Sequence, residues 1–482
     1  MRPVPVLTVE EIRAVEERAA KAPGPSLMER AGRAVADAAR KMAGDTGAPV
    51  LVVAGPGNNG GDARVAARLL GDSFHRVVVL DLNRGQTPVS DWPEGPKPAL
   101  IIDGLLGIGL SRDVDARFAA IIERMNASGA PILSIDVPSG LDAATGVIRG
   151  TAVRATRTIT FIAHKVGLHT GDGLDCRGEL ECDDLGTLEY QLEARGSLLT
   201  ADVAREWLAP RTRNSHKGSF GSLAIIGGNR GMVGAALLAA RAGLHCGAGK
   251  VRVWLLSPDA PAVDPAQPEI MMGSVDDAMA ADVIVAGPGA GQSPSATSGS
   301  MFERTVLPAV INAAKPVVLD ADALNAVAFN NALELDLAAR TRGPTILTPH
   351  PGEAARLLHK GNADVNNDRL AAALALAKRF NAEVVLKGAG SICASPDGTW
   401  CVNTTGNPGL ASGGSGDVLA GIVGAMLAQG LEPAKALRYA VCLHGAAGDS
   451  CVAKGAGPVG LTASEVALEA RRVMNDWTPS RR

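Results

Sequence analysis

Aromatic residues make up only 3% of this 482-residue chain, too few for the stacking platforms that hold single-stranded nucleic acid. An excess of basic charge is missing too. The formal net charge is −3, which offers no general attraction to phosphate backbones or acidic membrane surfaces. No uninterrupted apolar segment reaches membrane-spanning length. The opening MRPVPVLTVEEIRAVEERAA lacks the basic start and apolar core of a secretory signal. The seven cysteines, scattered from Cys176 to Cys451, contain no CxxC pair, which argues for reduced thiols rather than a disulfide framework. These absences together lead to the expectation of a soluble, cytoplasmic, mildly acidic protein without nucleic-acid or membrane partners.

What is present is a repeating rhythm. A chain of this length is expected to form two to three domains. Thr8 with Glu11 and Ser26 with Glu29 are two capping-box signatures, separated by the breaker PGP at 23–25. Short β-branched runs then recur at 50–54, 77–82, 99–103, 131–135 and 158–162, with room for crossover helices such as 113–128. Residues 164–215 break this rhythm, with a helix candidate at 200–208 followed by Pro210. Strand candidates resume at 222–226, 251–255, 283–286, 317–319, 345–348 and 383–387, and a mostly helical block covers 415–475. The expected fold class is α/β, with two doubly wound parallel domains, 1–209 and 210–482. Such sheets bind ligands beyond the carboxyl ends of their strands.

In the first half, the strand 50–54 runs into GPGNNGGDARVAARLL, a glycine-rich strand-to-helix turn whose free N–H groups and helix dipole favour an anion. It is neither a GxGxxG fingerprint nor a Walker A loop, and a tight turn can need glycine for geometry alone. Two later strand ends read DGLLGIGLSRD (103–113) and DVPSGLD (136–142). Asn58, Asn59, Asp62, Asp103, Asp136 and Ser139 should therefore gather at one sheet edge, an oxygen-rich set suited to a hard, monovalent cation. Asp136 also has a bland reading as a helix cap, since Pro138 and Ser139 follow it.

In the second half, GGNRGMVGA follows a strand and opens an alanine-rich helix. GPGAG (287–291), VLDADALN (318–325), TPHPGEAARLL (348–358), VVLKGAGS (384–391) and NPGLASGGSGDVLAGI (407–422) come later. The glycines at 413, 414 and 416 let amides converge on a phosphoryl group at a helix mouth. Asp417 in the first turn is placed to take a proton from an attacking hydroxyl, a phosphoryl-transfer arrangement. An ordinary N-cap is the bland alternative. Lys387 suits a nucleotide phosphate or sugar rather than solvent alone. His350 is open between a site residue and a core histidine. His164 and His169, five apart, receive no role.

GNNGGD, DGLLGIGL and DVPSG resemble the NAD(P)H-hydrate epimerase domain, a Rossmann-like fold, over roughly the first 210 residues. That resemblance implies potassium at Asn59, Asp103 and Ser139. It also implies hydrate contacts at Asn58, Asn59, Gly60, Gly61, Asp62, Gly107, Ile108, Gly109, Leu110, Ser111, Arg112, Asp113 and Asp136, with Asp136 as a base near C6 of the damaged ring. Where the family usually has glycine, Ala63 is expected to bring a methyl group closer to a bound phosphate. The later motifs resemble the ribokinase-like superfamily and, more narrowly, ADP-dependent NAD(P)H-hydrate dehydratase. Its nucleotide positions fall on Lys387, Gly388, Ala389, Gly390, Ser391 and Gly416. Its hydrate positions fall on Ala235, Gly289, His350 and Asp417, with Asp417 catalytic.

The fused order is similar to bifunctional repair enzymes. It implies epimerisation of R- and S-hydrates, then dehydration of the S form with ADP as co-substrate, Mg2+ at the dehydratase site, and a homo-oligomer. A ribokinase-like small-molecule kinase and a non-catalytic nucleotide sensor remain as alternatives.

Overall fold

The computed structural model describes residues 4–44, 47–73, 75–82, 92–93, 95–190, 194–291 and 300–478. The chain divides into two compact units, Val4–Ser197 and a second that begins at Leu198.

In the first unit, helices Val9–Ala19 and Leu27–Ala43 start at the two expected caps. Thr8 completes its capping box: its hydroxyl accepts from Glu11 N at 3.3 Å and its N–H donates to Glu11 Oε2 at 2.8 Å. Ser26 caps in one direction only. The Glu29 side chain that would return the bond pairs instead with Arg68 at 2.9 Å.

Six parallel strands then lie in the order Val77–Asp81, Val50–Ala54, Leu100–Gly104, Ile132–Ile135, Arg157–Phe161 and Glu179–Asp183. Val50–Ala54 comes first in the sequence and its neighbours on either side come later. The strand order therefore reverses between it and Leu100–Gly104, which is where a doubly wound sheet opens a crevice. The sixth strand corrects the expectation of an irregular stretch at 164–215. Glu179 and Glu181 at the sheet edge hide it, because charged residues blunt edges and erase the apolar signal. The helix candidate 200–208 shortens to Ala201–Ala204.

The second unit carries parallel strands in the order Met271–Met272, Lys250–Leu255, Ser222–Gly227, Val283–Ala286, Val317–Leu319, Thr345–Leu347 and Glu383–Leu386. An antiparallel pair, Ile392–Ala394 and Trp400–Asn403, extends it. Here the order reverses between Ser222–Gly227 and Val283–Ala286. The helical block resolves into Ser415–Ala428, Pro433–Ala453 and Ala463–Trp477. The first of these is apolar on nearly every face, and Val418, Leu419, Ile422, Val423 and Met426 are all buried. At roughly 1.5–3 kcal/mol per fully buried side chain, that packing fixes where the helix mouth points. Among the described residues, no helix is long and apolar enough to cross a membrane. The cysteines are free thiols.

Candidate active sites

In the first unit, Asp103 lies next to the end of Leu100–Gly104 and is fully buried. Its Oδ2 accepts from Ser134 Oγ at 2.8 Å and Ser139 N at 2.9 Å; its Oδ1 accepts from Ser139 Oγ at 2.6 Å and Leu105 N at 3.3 Å. Burial raises the Asp103 pKa in spite of these bonds. The Leu106 carbonyl accepts from Asn59 Nδ2 at 2.7 Å and stands 3.2 Å from Ser139 Oγ. Asn59, Asp103 and Ser139 thus meet around the backbone of Leu105 and Leu106, beside the reversal in strand order.

Gly60 sits where a Cβ would come within 1.9 Å of Gly55 O. Asn58 is exposed at the start of helix Asn58–Gly71, and Gly61 and Asp62 are partly exposed. In the facing loop, Gly107 approaches Asn59, since a Cβ there would lie 3.2 Å from Asn59 Cβ. Ile108 and Leu110 are partly buried; Gly109, Ser111, Arg112 and Asp113 are exposed along the rim. Ala63 overturns its expectation. It is fully buried and faces the sheet, where a Cβ on Gly104 would lie 2.6 Å from its methyl. The helix turns residue 63 inward while residues 58 and 62 face outward.

Asp136 holds φ at 64°, unusual for a residue with a side chain. No helix follows it, so the cap reading fails. Its Oδ1 accepts from Lys165 Nζ at 2.5 Å, Thr160 Oγ1 at 3.2 Å and Phe161 N at 3.2 Å. Sequence reasoning missed Lys165, which is 1% exposed and donates also to Thr160 Oγ1 at 2.9 Å and Phe161 O at 2.8 Å. Its position four residues past the end of strand Arg157–Phe161 was the available signal. The Asp62 carboxyl is pushed up to about 8 by burial, then by the charges of Asp136 and Glu16. His164 and His169 hydrogen-bond to each other at 3.0 Å, and burial lowers them to about 4 and about 2.

In the second unit, the loops at the strand reversal are joined by backbone bonds. Gly228 N donates to Pro288 O at 2.9 Å, and Asn229 N to Gly289 O at 2.7 Å. Gly289 approaches Ala235, since a Cβ there would lie 2.9 Å from the Ala235 methyl. The glycine turn ahead of Asp417 begins with Gly406 N and Asn407 Nδ2 donating to Asp449 at 2.8 and 2.9 Å.

Gly414 is left-handed at φ 85° and caps helix Ser415–Ala428. The first amides of a helix lack intrahelical acceptors. Among the described residues, none is recorded for Gly416 N or Asp417 N. A Cβ on Gly416 would lie 3.2 Å from Lys387 Nζ, so the ammonium reaches the helix mouth.

Lys387 is not a solvated lysine. It binds Asp320 Oδ1 at 2.9 Å and lies 3.9 Å from Glu353 Oε2. Burial lowers its pKa, but Asp320 and Glu353 outweigh that and leave it raised. Asp417 is pushed up to about 7, chiefly by burial and then by Asp320, while Lys387 opposes the rise. Gly388 and Gly390 adopt φ of 141° and 62°, and Ser391 Oγ donates to Gly388 O at 3.0 Å. Ala389 completes that loop. His350 is no core histidine: its side chain is half exposed, and its Nδ1 accepts from Gly352 N at 3.0 Å to cap helix Pro351–Leu357. Two buried groups escaped the sequence reading, Arg369 beside Gly388 and His444, whose Nε2 lies 3.2 Å from Ser415 Oγ. Among the described residues, no group of three or more His, Cys, Asp and Glu is set to hold a metal ion.

Two family models match this chain. One, described as NAD(P)H-hydrate dehydratase, covers residues 223–469, and one described as YjeF-related protein N-terminus covers 24–92 and 81–167. The chain is 38% identical to the bifunctional NAD(P)H-hydrate repair enzyme of Escherichia coli, over 98% of this chain and 94% of that one. It is 34% identical to the enzyme of that description from Leishmania braziliensis, over 94% and 90%. Among solved structures, it is similar to the ADP/ATP-dependent NAD(P)H-hydrate dehydratase of Bacillus subtilis, co-crystallised with ATP and Mg2+. That likeness has a TM-score of 0.50 at 31% identity and covers 58% of this chain and 98% of that one. With matches to both halves in one order and near-complete coverage, this chain belongs to the family of bifunctional NAD(P)H-hydrate repair enzymes.

Proposed function

We propose that the chain repairs hydrated nicotinamide cofactors at two sites. The first, within 1–209, interconverts the R and S epimers of NADH-hydrate and NADPH-hydrate. The second, within 210–482, dehydrates the S epimer and converts ADP to AMP and phosphate. The observation that carries the second reaction is Asp417, in the first helical turn beside Gly416, with Lys387 reaching the same mouth. A base is most effective when its pKa lies near the working pH, and burial brings Asp417 to about 7.

Asp417 takes the proton of the C6 hydroxyl as that oxygen attacks the β-phosphorus of ADP. AMP leaves, the N1 lone pair breaks the C6–O bond of the resulting ester to release phosphate, and loss of a proton from C5 restores the C5–C6 double bond. The Gly416 and Asp417 amides at the helix mouth stabilise charge on the phosphoryl oxygens. Lys387–Ser391 and Gly416 hold the nucleotide; Ala235, Gly289 and His350 contact the hydrate. The kinase and sensor alternatives have no observation in their favour.

Mg2+ commonly binds through one or two carboxylates and the substrate's phosphates rather than a protein cage. Asp320 and Asp417, close enough for each to feel the other's charge, fit that mode, and Mg2+ bound there would neutralise phosphate charge. K+ fits the first site differently. Asp103 is a buried carboxylate with no ion pair recorded among the described residues, and Asn59 and Ser139 supply further oxygens. K+ held there supplies positive charge and order to the loops at 58–62 and 107–113. A cytoplasmic location and a homo-oligomer complete the proposal.

The test is a mixture of both hydrate epimers incubated with ADP and Mg2+, followed at the absorbance of the reduced nicotinamide. Asp417→Asn should lower dehydration on the order of 10²–10⁴-fold while the epimers still interconvert. ADP-dependent turnover retained in that variant overturns the assignment. Asp136→Ala should spare repair of S-hydrate but strand the R form; an unchanged epimerisation rate removes Asp136 from the mechanism.

A further inference from the structure

Resting on the epimerase reading, we propose that Asp62 and Asp136 are the acid and base of epimerisation, and that buried Lys165 is the positioning residue that assigns the base role to Asp136. The chemistry demands two groups. C6 of the hydrate bears a hydroxyl and is bonded to N1, so it is a hemiaminal carbon. Inversion there needs no oxidant, no reductant and no added water. Asp136 takes the hydroxyl proton, the C6–O bond becomes a carbonyl, and the C6–N1 bond breaks. Its electron pair goes to N1, which receives the proton of Asp62. The opened aldehyde rotates about C5–C6, N1 adds to its other face, and both protons return. Atoms and electrons balance. The step works only if one carboxyl stays ionised while its neighbour stays protonated.

The structure surrounds the two carboxyls unequally. Asp136 receives three donors on Oδ1, one of them a fully buried ammonium at 2.5 Å. The remaining bonds of Lys165 go to neutral oxygens, Thr160 Oγ1 and Phe161 O, so its charge is directed at Asp136. That pairing and the left-handed backbone at residue 136 hold the carboxylate in one orientation. Asp62 has no hydrogen-bond donor recorded among the described residues, and its charged form is disfavoured by burial and by two nearby acids. The groups facing the pair come from several elements: Glu16, itself beside Arg13, from helix Val9–Ala19, and Lys165 and Cys182 from strands. Two neighbouring carboxyls in unlike surroundings, one held by donors and one without them, are a common arrangement for acid–base pairs.

The test uses the full chain with purified R-hydrate and no ADP, and follows conversion to S-hydrate by chromatography across pH. Asp62→Asn should lower the rate about 10²-fold or more and abolish the alkaline limb. Lys165→Met should lower kcat about tenfold or more with KM little changed, because the Asp136 carboxylate loses the buried donor that orients it, and Lys165→Arg should restore part of the rate. An unfolding midpoint for the first unit close to that of the unaltered chain, measured on the same preparations, shows that each variant is folded there. An Asp62→Asn enzyme with native rate and both limbs overturns the acid role. A Lys165→Met enzyme with native kcat, or one whose loss falls on KM alone, overturns the positioning role. Absence of epimerisation by the unaltered chain removes the underlying epimerase reading instead.

Discussion

Both units set a lysine beyond the carboxyl end of a parallel strand, near the acid proposed as the base, yet the two pairs are wired differently. In the first, Lys165 bonds the proposed base directly, and its other hydrogen bonds among the described residues go to the neutral oxygens Thr160 Oγ1 and Phe161 O. In the second, Lys387 is bonded to Asp320, and Asp417 feels it only from a distance. A base bonded directly to a lysine suits a reaction that returns its proton within one cycle. A base left near neutrality beside unsatisfied helix amides suits a reaction in which an anionic co-substrate must also dock. The same strand-end architecture therefore serves two chemistries by moving one ion pair.

The sharpest way to break this contrast is Lys387→Met. If Lys387 chiefly neutralises Asp320 and Glu353, its loss leaves buried carboxylates unpaired. That should cost the second unit about 3–5 kcal/mol in chemical denaturation and abolish dehydration. If the lysine instead serves only the nucleotide, stability should hold while KM for ADP rises.

A smaller effect sharpens the contrast through pH. Asp417 accepts a proton only when ionised, and its pKa is raised to about 7. Below that value the protonated form accumulates and the base is lost; above it the base is present. The kcat/KM for dehydration should fall about tenfold per pH unit below roughly 7 and level off above. A flat profile from pH 5.5 to 8 would exclude Asp417 as the titrating base.

Most of the fold was legible because buried parallel strands are apolar runs of the right length, and every such run in the expectation became a strand. What stayed hidden was the edge. Glu179–Asp183 carries two glutamates, and the pair Ile392–Ala394 and Trp400–Asn403 is too short to announce itself. At the sites, glycine-rich turns and the acids after strands were readable from spacing alone. Their partners were not. Lys165, Arg369 and His444 matter through burial and distance, and neither follows from neighbours in the chain. The Lys387 ammonium shows the same limit: the residue was readable, its bond to Asp320, 67 positions away, was not.

Ala63 offers the smallest effect and the cleanest separation of the two kinds of reading. From the sequence, its methyl belongs beside a phosphate, so Ala63→Gly should tighten hydrate binding and lower KM. In the structure the methyl is fully buried against Gly104, within a core that includes Val52, Ala66 and Ile102. Removing it takes away packing and adds a glycine to a helix interior, at about 1 kcal/mol for the helix term alone. The expected result is an unfolding midpoint lowered for the first unit with KM for R-hydrate unchanged. A lower KM with unchanged stability would place the methyl on the ligand side of the helix and move the phosphate position one residue along it.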